Sequence, residues 1–553
     1  MARTGGQAVA GTLARHGARR LFCVPGESVL PLLDALADGT GPRPVPCRHE
    51  GGAAFMAEAA GRLTGRPGVA VAARGPGLCN AAIAVHSALL DSTPLVLLAG
   101  LAPAGNTGRG AFQEIDAAAL FGAVAKAVTV VDRADRLPEA VARAFHTAVS
   151  GRPGPVVVAA PHDVLAAPTD AVPADPVPAV RAHPDPRAMA ALADRLRDAA
   201  DPLLLLGGGG WDDAARAAVR DFAAAQDIPV AVGFRRHDLF PTAHPCFAGE
   251  LGLAADPALV RRARAADPLI AVGTRLAAVT TQDHTVPGPP GDAPHLAHVH
   301  PVAETLGATH RPGLAVQADP APFAEAAAAL PAVVPSARAA ARHDARADYE
   351  TFADPEKAPE GASRALARAM RTLDAELPAD AVVAVDAGNF AGWPQRYLTL
   401  GGPAPARRFL APVSGAMGYG APAGIAAALE TPGRPVIAFC GDGGFLMNDG
   451  ELATAVQENA AVVFVVVDNA QYGTIRLHQE SLYPGRAVAT GLTSPDFAAL
   501  ARAHGAAAWT VDAPGGLMTA MREALATAAP ALVHLRLPRE TLSVDTRLED
   551  LAP

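Results

Sequence analysis

Lysine is nearly absent from this chain of 553 residues, and the formal net charge at pH 7 is −9. No basic stripe with interleaved aromatic residues occurs, so the sequence does not predict a nucleic-acid-binding surface. No apolar run reaches the roughly 18 to 20 residues that span a bilayer. No basic segment followed by a long apolar run opens the chain. We therefore expect neither a membrane partner nor a signal peptide.

Cysteine is also scarce, with five residues in the whole chain. They form no CxxC pair and show no metal-ligand spacing. Each lies in or beside an apolar run, which is typical of buried free thiols. The five are Cys23, Cys47, Cys79, Cys246 and Cys440. This pattern predicts a reducing compartment and hence a cytoplasmic location.

The length and the hydrophobic content predict several compact units. Half of the residues are hydrophobic, and a chain of this size favours three domains over one. Strand-like and helix-like segments alternate, which predicts α/β domains with parallel sheets. A proline-rich stretch at 168–186 and a second linker at about 335–362 separate the domains. The predicted domains are 1–165, 187–335 and 362–540, without an internal repeat.

The most informative stretch follows Pro435. Apolar runs at 436–440 and 462–467 flank a helix-like segment, which predicts a βαβ unit with parallel buried strands. Ligands of such sheets bind outside the carboxyl ends of the strands, where Asp442 and Asn469 fall. A carboxylate and an amide oxygen suit a hard cation such as Mg²⁺. The glycines beside Asp442 leave backbone N–H groups open to a phosphate.

An isolated Gly-Asp-Gly is more often an ordinary turn, but the surrounding motifs favour a cofactor site. Asn469 follows Asp442 by 27 residues, which resembles the diphosphate–metal motif of enzymes that use thiamine diphosphate (ThDP, also called thiamine pyrophosphate). Four further segments occur in the order found in the acetolactate synthase-like branch of these enzymes. They are RHEGGAAF at 48–55, RGPGLCN at 74–80 with LLDSTP at 89–94, AFQEID at 111–116 and SGAMGYG at 414–420.

The resemblance covers nearly the whole chain and implies its fold, its cofactors and its assembly. It implies three doubly wound α/β domains, which bind the pyrimidine, occupy the centre and bind the diphosphate of ThDP. The implied cofactors are ThDP and Mg²⁺. The implied partner is a second copy of the chain, in a homodimer or homotetramer whose active sites lie across a dimer interface. Glu50 of one chain would then serve the cofactor that the other chain holds.

The resemblance also implies a role for each motif residue. Glu50 would bond to N1′ of the pyrimidine and favour the imino tautomer that removes the C2 proton. Met417 would wedge between the two rings and bring them together, and Phe112 and Gln113 would line the reacting centre. Mg²⁺ would be held by Asp442, Asn469 and the Gln471 carbonyl. The other cofactor-binding residues would be Gly388, Asn389, Gly415, Gly441, Gly443, Gly444, Tyr472, Gly473 and Thr474.

The candidate substrate residues are Gly26, Arg74, Lys126, Arg476 and His478. Arg74 and Arg476 suit a substrate carboxylate, although surface or structural roles fit an arginine-rich chain equally well. Acetolactate synthases carry a tryptophan near the position of His478, and this chain does not. Asp468 also replaces the first asparagine of the usual Asn-Asn pair, while the second, Asn469, is kept.

The central domain has four glycines, Gly207 to Gly210, after a predicted strand. Such a loop admits a nucleotide phosphate, but no GxGxxG motif with a suitably spaced acid is present, which argues against a nicotinamide dehydrogenase. The resembled enzymes hold FAD in this domain, and the arginine-rich segment that helps to hold it is not evident at 273–277. The open alternatives are FAD, ADP, coenzyme A or no ligand.

The function that the resemblance implies is a 2-keto acid decarboxylase and carboligase. It would form a C2 enamine on ThDP and transfer it to a carbonyl acceptor. One alternative is a lyase or synthase of 2-hydroxy ketones or 2-hydroxyacyl-CoA that acts without decarboxylation. Another is a ThDP-binding regulatory or structural protein with little turnover. The intact Glu50, Met417, Asp442 and Asn469 argue against the last alternative.

Overall fold

A computed structural model describes residues 3–551 of the chain. It contains three six-stranded sheets, and every strand pair within them is parallel. The central strands are short runs of Val, Leu and Ala with both faces buried, as parallel sheets require. The α/β class with three parallel-sheet domains is therefore confirmed.

The N-terminal sheet has helices on both faces. Its elements are β1 (Arg3–Thr4), α1 (Gly5–Arg15), β2 (Arg20–Cys23), α2 (Leu30–Ala37), β3 (Arg43–Pro46), α3 (Glu50–Thr64), β4 (Gly68–Ala73), α4 (Arg74–Asp91), β5 (Leu95–Leu101), α5 (Ala117–Phe121), β6 (Ala127–Val130), α6 (Leu137–Val149), β7 (Pro155–Pro161), α7 (His162–Ala166) and β8 (Pro168–Thr169). The strand order is β3-β2-β4-β5-β7-β6, and β1 pairs separately with β8. A different apolar cluster covers each face, so the sheet is doubly wound.

Helix α4 begins within the motif RGPGLCN. Gly75, Pro76 and Gly77 form its first turn. A proline is tolerated there because the first helical N–H groups have no partner within the helix. Arg74 starts this turn in the left-handed region, with φ of 50°.

The middle sheet has the strand order of dinucleotide-binding domains. Its elements are α8 (Pro186–Arg197), β9 (Leu203–Leu206), α9 (Asp213–Ala225), β10 (Val230–Gly233), β11 (Phe247–Leu251), α10 (Pro257–Ala265), β12 (Leu269–Val272), β13 (Gly291–His300), β14 (His310–Gln317), α11 (Pro320–Ala328) and α12 (Ser336–Phe352). The order β11-β10-β9-β12-β13-β14 is the doubly wound order in which ligands bind between the first and fourth strands.

Helix α12 lies in the stretch 335–362, for which the linker prediction is wrong. The helix packs on the middle sheet through Ala345 and Tyr349, which are both buried. The Tyr349 ring meets the Phe247 ring edge-on, with 4.8 Å between the ring centroids. The helix buries only a narrow apolar stripe, and for that reason its sequence resembles that of a solvated linker.

The C-terminal sheet repeats the strand order of the N-terminal sheet. Its elements are α13 (Ala362–Glu376), β15 (Val382–Val385), α14 (Gly392–Tyr397), β16 (Arg408–Leu410), α15 (Gly420–Glu430), β17 (Val436–Gly441), α16 (Asp442–Phe445), α17 (Glu451–Gln457), β18 (Val463–Asp468), α18 (Gly473–Leu482), α19 (Phe497–Ala503), β19 (Ala507–Val511), α20 (Leu517–Ala526) and β20 (Ala531–Arg536). The order is β16-β15-β17-β18-β20-β19. Strands β17 and β18 are parallel neighbours, which confirms the predicted βαβ unit.

The two end domains share one hydrophobic core. Helix α3 packs against α15, and the rings of Phe55 and Tyr419 meet edge-on with 5.6 Å between their centroids. The N-terminal and C-terminal sheets are therefore joined within one chain. Each sheet lies inside one predicted domain range, while the limits of those ranges stay a prediction. Among the helices between residues 3 and 551, none has the length and apolarity needed to cross a bilayer.

Candidate active site

One cavity of about 660 Å³ lies at the carboxyl ends of the C-terminal strands. The loops after β15, β17 and β18 form one wall, and the middle domain forms the opposite wall through residues such as Arg235 and Glu250. The segment 541–545 completes the lining. This volume is in the range of small-molecule and cofactor sites, and the position is the one at which parallel sheets bind ligands.

All of the cofactor-binding residues that the sequence predicts in the C-terminal domain line this cavity. The set consists of Gly388, Asn389, Gly415, Met417, Gly441, Asp442, Gly443, Gly444, Asn469, Gln471, Tyr472, Gly473 and Thr474. They come from four separate loops. The parallel strands bring these loops together because their carboxyl ends lie along one edge of the sheet.

Asp442 has the surroundings of a cation ligand. It is 4% exposed, and its carboxylate accepts hydrogen bonds from the backbone N–H groups of Gly443, at 2.8 Å, and Gln471, at 3.2 Å. Burial raises the pKa of Asp442 to about 7. A bound divalent cation would offset this cost by supplying positive charge beside the carboxylate. The residues present therefore fit Mg²⁺, which prefers oxygen ligands.

The oxygen ligands would include few charged side chains. Between residues 3 and 551, no three His, Cys, Asp or Glu side chains group together as a metal site. A cation at Asp442 would thus depend on the Asn469 amide and the Gln471 carbonyl, which belong to residues that line the same cavity.

Asp468 lies behind Asp442 and is held by other groups. Its carboxylate accepts a hydrogen bond from the Ser494 hydroxyl at 2.7 Å and lies 2.8 Å from Nε2 of the buried His534. Although burial opposes the shift, these hydrogen bonds lower the pKa of Asp468 to about 2. The negative charge of Asp468 adds to the burial that raises the pKa of Asp442.

The glycine loops approach each other too closely for side chains. A Cβ atom on Gly443 would lie 2.5 Å from the Tyr472 ring, and one on Gly388 would lie 2.7 Å from the Phe390 ring. Gly388 also has φ of 148°, which L-residues rarely adopt. Gly415 differs, because a Cβ there would meet no heavy atom within 4 Å. The backbone at Gly415 is therefore open to a ligand.

Asp386 is a site residue that the sequence analysis missed. It is fully buried directly after β15, and it accepts hydrogen bonds from the N–H groups of Gly418, at 3.0 and 3.1 Å, and Ala387, at 2.6 Å. Burial raises its pKa to about 6. A Cβ on Gly444 would lie 3.0 Å from its carboxylate. Asp386 thus joins three of the cofactor loops, and its position at a strand end was a signal that could have found it.

The predicted residues of the N-terminal domain do not line the cavity, but five of them lie at the carboxyl edge of their own sheet. They are Gly26, Glu50, Arg74, Phe112 and Gln113. The Arg74 guanidinium lies 5.9 Å from the Phe112 ring centroid, and the Gly75 N–H donates to the Gln113 carbonyl at 2.9 Å. Phe112 is 73% exposed.

Glu50 is half-buried at the start of α3 and accepts a hydrogen bond from the Asn80 amide at 2.9 Å. The turn before it is fixed by Glu451 of the C-terminal domain. One Glu451 oxygen accepts the backbone N–H groups of Arg48 and His49, both at 3.0 Å. Glu451 is completely buried. This anchor holds Glu50 outside the cavity of its own chain.

Three predicted substrate residues lie elsewhere. The Lys126 ammonium donates to three backbone carbonyls at and after the end of α6, and burial lowers its pKa to about 8. These contacts give it a structural role. Arg476 pairs with Glu480 on α18 at 2.7 Å, and His478 is exposed on the same helix. None of the three lines the cavity, so their substrate roles stay predictions.

The glycine loop of the middle domain is tightly packed. A Cβ on Gly208 would lie 1.9 Å from the Gly273 carbonyl oxygen, and one on Gly209 would lie 2.2 Å from that of Ser92. A space of about 50 Å³ lies beside this loop, and it shares Leu90, Arg275 and Val413 with the lining of the larger cavity. FAD or nucleotide binding in this domain stays a prediction.

Three family models match the chain in the order of its sheets. The thiamine pyrophosphate enzyme N-terminal TPP binding domain matches residues 3–120, the central domain matches 189–327, and the C-terminal TPP binding domain matches 386–535. The acetolactate synthase isozyme 1 large subunit of Escherichia coli (strain K12) is 31% identical over 556 residues, covering 97% of this chain and 94% of that protein. The isozyme 2 large subunit is 31% identical over 536 residues, with 96% and 95% covered.

A relative with a different name has similar coverage. The sulfoacetaldehyde acetyltransferase of Alcaligenes xylosoxydans xylosoxydans is 30% identical over 540 residues, covering 92% of this chain and 88% of that protein. The similarity thus extends over nearly the full length of both chains and includes the cavity described above. The chain belongs to the thiamine diphosphate-dependent enzymes and is an enzyme of the acetolactate synthase-like group.

Proposed function

We propose that this enzyme decarboxylates a 2-keto acid and joins the remaining unit to a carbonyl acceptor, with ThDP and Mg²⁺ as cofactors. The observation that carries the proposal is the convergence of Asp442, Asn469 and Gln471 with three glycine loops on one cavity. When bound, ThDP would supply a nucleophilic carbon at thiazolium C2 and a cationic ring that can take up the electron pair released with CO₂.

The C-terminal domain would hold the diphosphate end of the cofactor. Asp442, Asn469 and the Gln471 carbonyl would bind Mg²⁺, which in turn would bind the diphosphate. Backbone N–H groups of the remaining cavity loops would donate to the phosphate oxygens. These loops contain Gly388, Asn389, Gly443, Gly444, Tyr472, Gly473 and Thr474.

The open backbone at Gly415 and the side chain of Met417 would hold the pyrimidine. Both residues line the cavity, and the lack of any neighbour around a Cβ on Gly415 leaves room for a flat ring. Met417 is half-buried on the same loop and would fix the angle between the two rings of the cofactor.

Glu50 would hold the proton at N1′ of the pyrimidine and would come from a second copy of the chain. Two observations support this arrangement. Glu50 does not line the cavity of its own chain, and the neighbouring Phe112 is 73% exposed. A second N-terminal domain placed over the cavity would cover Phe112 and bring Glu50 to the cofactor. The proposed assembly is therefore a homodimer or a tetramer built from such dimers.

The substrate class follows from the residues at the carboxyl edge of the N-terminal sheet. Phe112 and Gln113 of the second chain would form the wall next to the reacting carbonyl, and Arg74 would face a substrate carboxylate. The relatives are named for acetolactate and for sulfoacetaldehyde, so the names alone do not fix the acceptor. The missing tryptophan near His478 keeps open a lyase that cleaves 2-hydroxy ketones or 2-hydroxyacyl-CoA without decarboxylation. The cytoplasmic location expected from the thiols stays a prediction.

Product analysis tests this function directly. We expect the purified enzyme, supplied with ThDP and Mg²⁺, to release CO₂ from at least one member of a panel of 2-keto acids. Addition of an aldehyde or a second keto acid should then yield a 2-hydroxy ketone, detected by mass spectrometry. Cleavage of a 2-hydroxy ketone or 2-hydroxyacyl-CoA without CO₂ release from any keto acid would favour the alternative lyase.

ThDP binding should require a divalent cation. Titration of the apoenzyme with ThDP, followed by tryptophan fluorescence, should show binding with Mg²⁺ and at least about 100-fold weaker binding with EDTA, because removing one partner of a buried charge pair costs about 3–5 kcal/mol. Asp442→Ala should remove the difference. Asp512→Asn, an exposed control, should preserve it. Equal ThDP affinity with and without the cation would contradict the metal assignment.

Glu50→Gln should separate cofactor binding from activation. The glutamine keeps the shape of the side chain but cannot exchange a proton with N1′, so C2–H exchange of bound ThDP should fall by about 100-fold or more. Hydrogen–deuterium exchange at C2, measured by NMR after rapid quenching, gives the rate. ThDP affinity should stay within about threefold of the wild type. The control is Glu139→Gln, on the exposed face of α6. A wild-type exchange rate in Glu50→Gln would refute the role of Glu50.

A further inference from the structure

The loop that carries Gly415 and Met417 is held by a carboxylate from another domain. Asp91 is the last residue of α4 and is 3% exposed. One of its oxygens accepts the backbone N–H of Ser414 at 2.8 Å, and the other accepts that of Val413 at 3.0 Å. Both bonds join the N-terminal domain to the C-terminal domain, immediately before Gly415 and Met417, and Val413 and Ser414 line the cavity as these two residues do.

Further side chains hold the same loop. The Ser87 hydroxyl, one turn before Asp91 on α4, lies 2.9 Å from the Ser414 hydroxyl. Arg62 of α3 donates to the carbonyl oxygen of Ala411. Arg235 of the middle domain donates to that of Pro412 at 2.9 Å. The stretch 411–414 is thus fixed by buried or largely buried groups from both other domains.

A contact in the reverse direction, from the C-terminal domain to the N-terminal domain, lies at the other end of helices α3 and α4. Glu451 of the C-terminal domain accepts the N–H groups of Arg48 and His49, directly before Glu50. Asn80 of α4 donates to Glu50 itself. Glu50 therefore lies at the start of α3, where Asn80 of α4 contacts it. Asp91, at the end of α4, holds the loop before Met417.

Burial raises the pKa of Asp91, while the nearby Arg62 guanidinium, a hydrogen bond with Glu58 and the two backbone N–H groups lower it. Glu58 is completely buried on α3, and its pKa is raised well above the usual range by burial and by the charge of Asp91. Asp91 accepts hydrogen bonds from two backbone N–H groups, one on each of its oxygens. A buried carboxylate costs free energy, so a contact that only filled space would be served better by an apolar side chain.

We propose that Asp91 and Glu451 are reciprocal positioning residues that set the two halves of the active site. Asp91 places the Met417 loop against the diphosphate loops of the same chain, and Glu451 places Glu50 for the cofactor of the partner. The proposal rests on the proposed function, since it assigns these contacts to cofactor positioning. Neither residue lines the cavity, so each acts through the backbone that it holds.

The two contacts predict different responses to conservative substitution. Glu451 uses one oxygen for both backbone N–H groups, and its other oxygen accepts the Thr454 hydroxyl at 2.6 Å. Glutamine can reproduce this by accepting with its oxygen and donating to the hydroxyl. Asp91 uses both oxygens as acceptors, so asparagine can keep only one of the two bonds. The other backbone N–H would then face the NH₂ group of the asparagine, which is itself a donor.

The test compares Asp91→Asn, Glu451→Gln and Glu451→Ala in the full chain. Asp91→Asn should weaken Mg²⁺-dependent ThDP binding by about tenfold, the effect of one lost buried hydrogen bond, and should change the near-ultraviolet circular dichroism of the bound cofactor. Glu451→Ala should bind ThDP within about threefold of the wild type but lose about tenfold or more of the C2–H exchange rate. Glu451→Gln should restore that rate to within about threefold.

Several results would overturn the proposal. Wild-type affinity and dichroism in Asp91→Asn would do so, as would equal loss of exchange in Glu451→Gln and Glu451→Ala. If Asp91→Asn does not fold, Ser87→Ala replaces it as the test variant, because this substitution removes an uncharged contact to the same loop. It should weaken ThDP binding by about threefold, and unchanged affinity would overturn the role of this loop contact. Failure of the proposed function is distinct, since the wild-type enzyme itself would then not bind ThDP with Mg²⁺.

Discussion

The contact between Glu451 and the turn before Glu50 is the constraint on which the proposed active site depends. Two backbone N–H groups bind one buried oxygen, and the shared core of α3 and α15 keeps this geometry in place. Glu50 is thereby fixed at a site that does not open into the cavity of its own chain. In the proposed function, the carboxyl group that reaches the pyrimidine of the cofactor would therefore come from another copy of the chain.

The cavity depends on a second constraint, which is the parallel sheet itself. Since all strands run in one direction, the loops after β15, β17 and β18 open on the same edge and bring the proposed cation ligands beside the glycines that we propose bind phosphate. Asp386 secures this convergence by binding the Gly418 N–H from the end of β15. Burial raises the pKa values of both Asp386 and Asp442, as expected where carboxylates are kept for function rather than for stability.

Much of this could be predicted from the sequence because the relevant signals are local. A polar residue at the end of a buried strand and glycines in the next turn identify the loops around Asp442 and Asn469 without any knowledge of packing. The contacts of Asp91 and Glu451 could not be predicted in this way, because each joins residues more than 300 positions apart. Lys126 shows the same limit, since its contacts with backbone carbonyls more than 20 positions away are visible only in the structure.

The central claim, that each active site is completed by Glu50 of another chain, is tested most directly by mixing two inactive chains. Glu50→Gln and Asp442→Ala chains with different affinity tags should each lack C2–H exchange when purified alone. A heterodimer of the two should contain one intact site and regain roughly half of the wild-type rate, as two-fold symmetry requires. If each chain instead used its own Glu50, the heterodimer would stay as inactive as either parent, and this result would contradict the account.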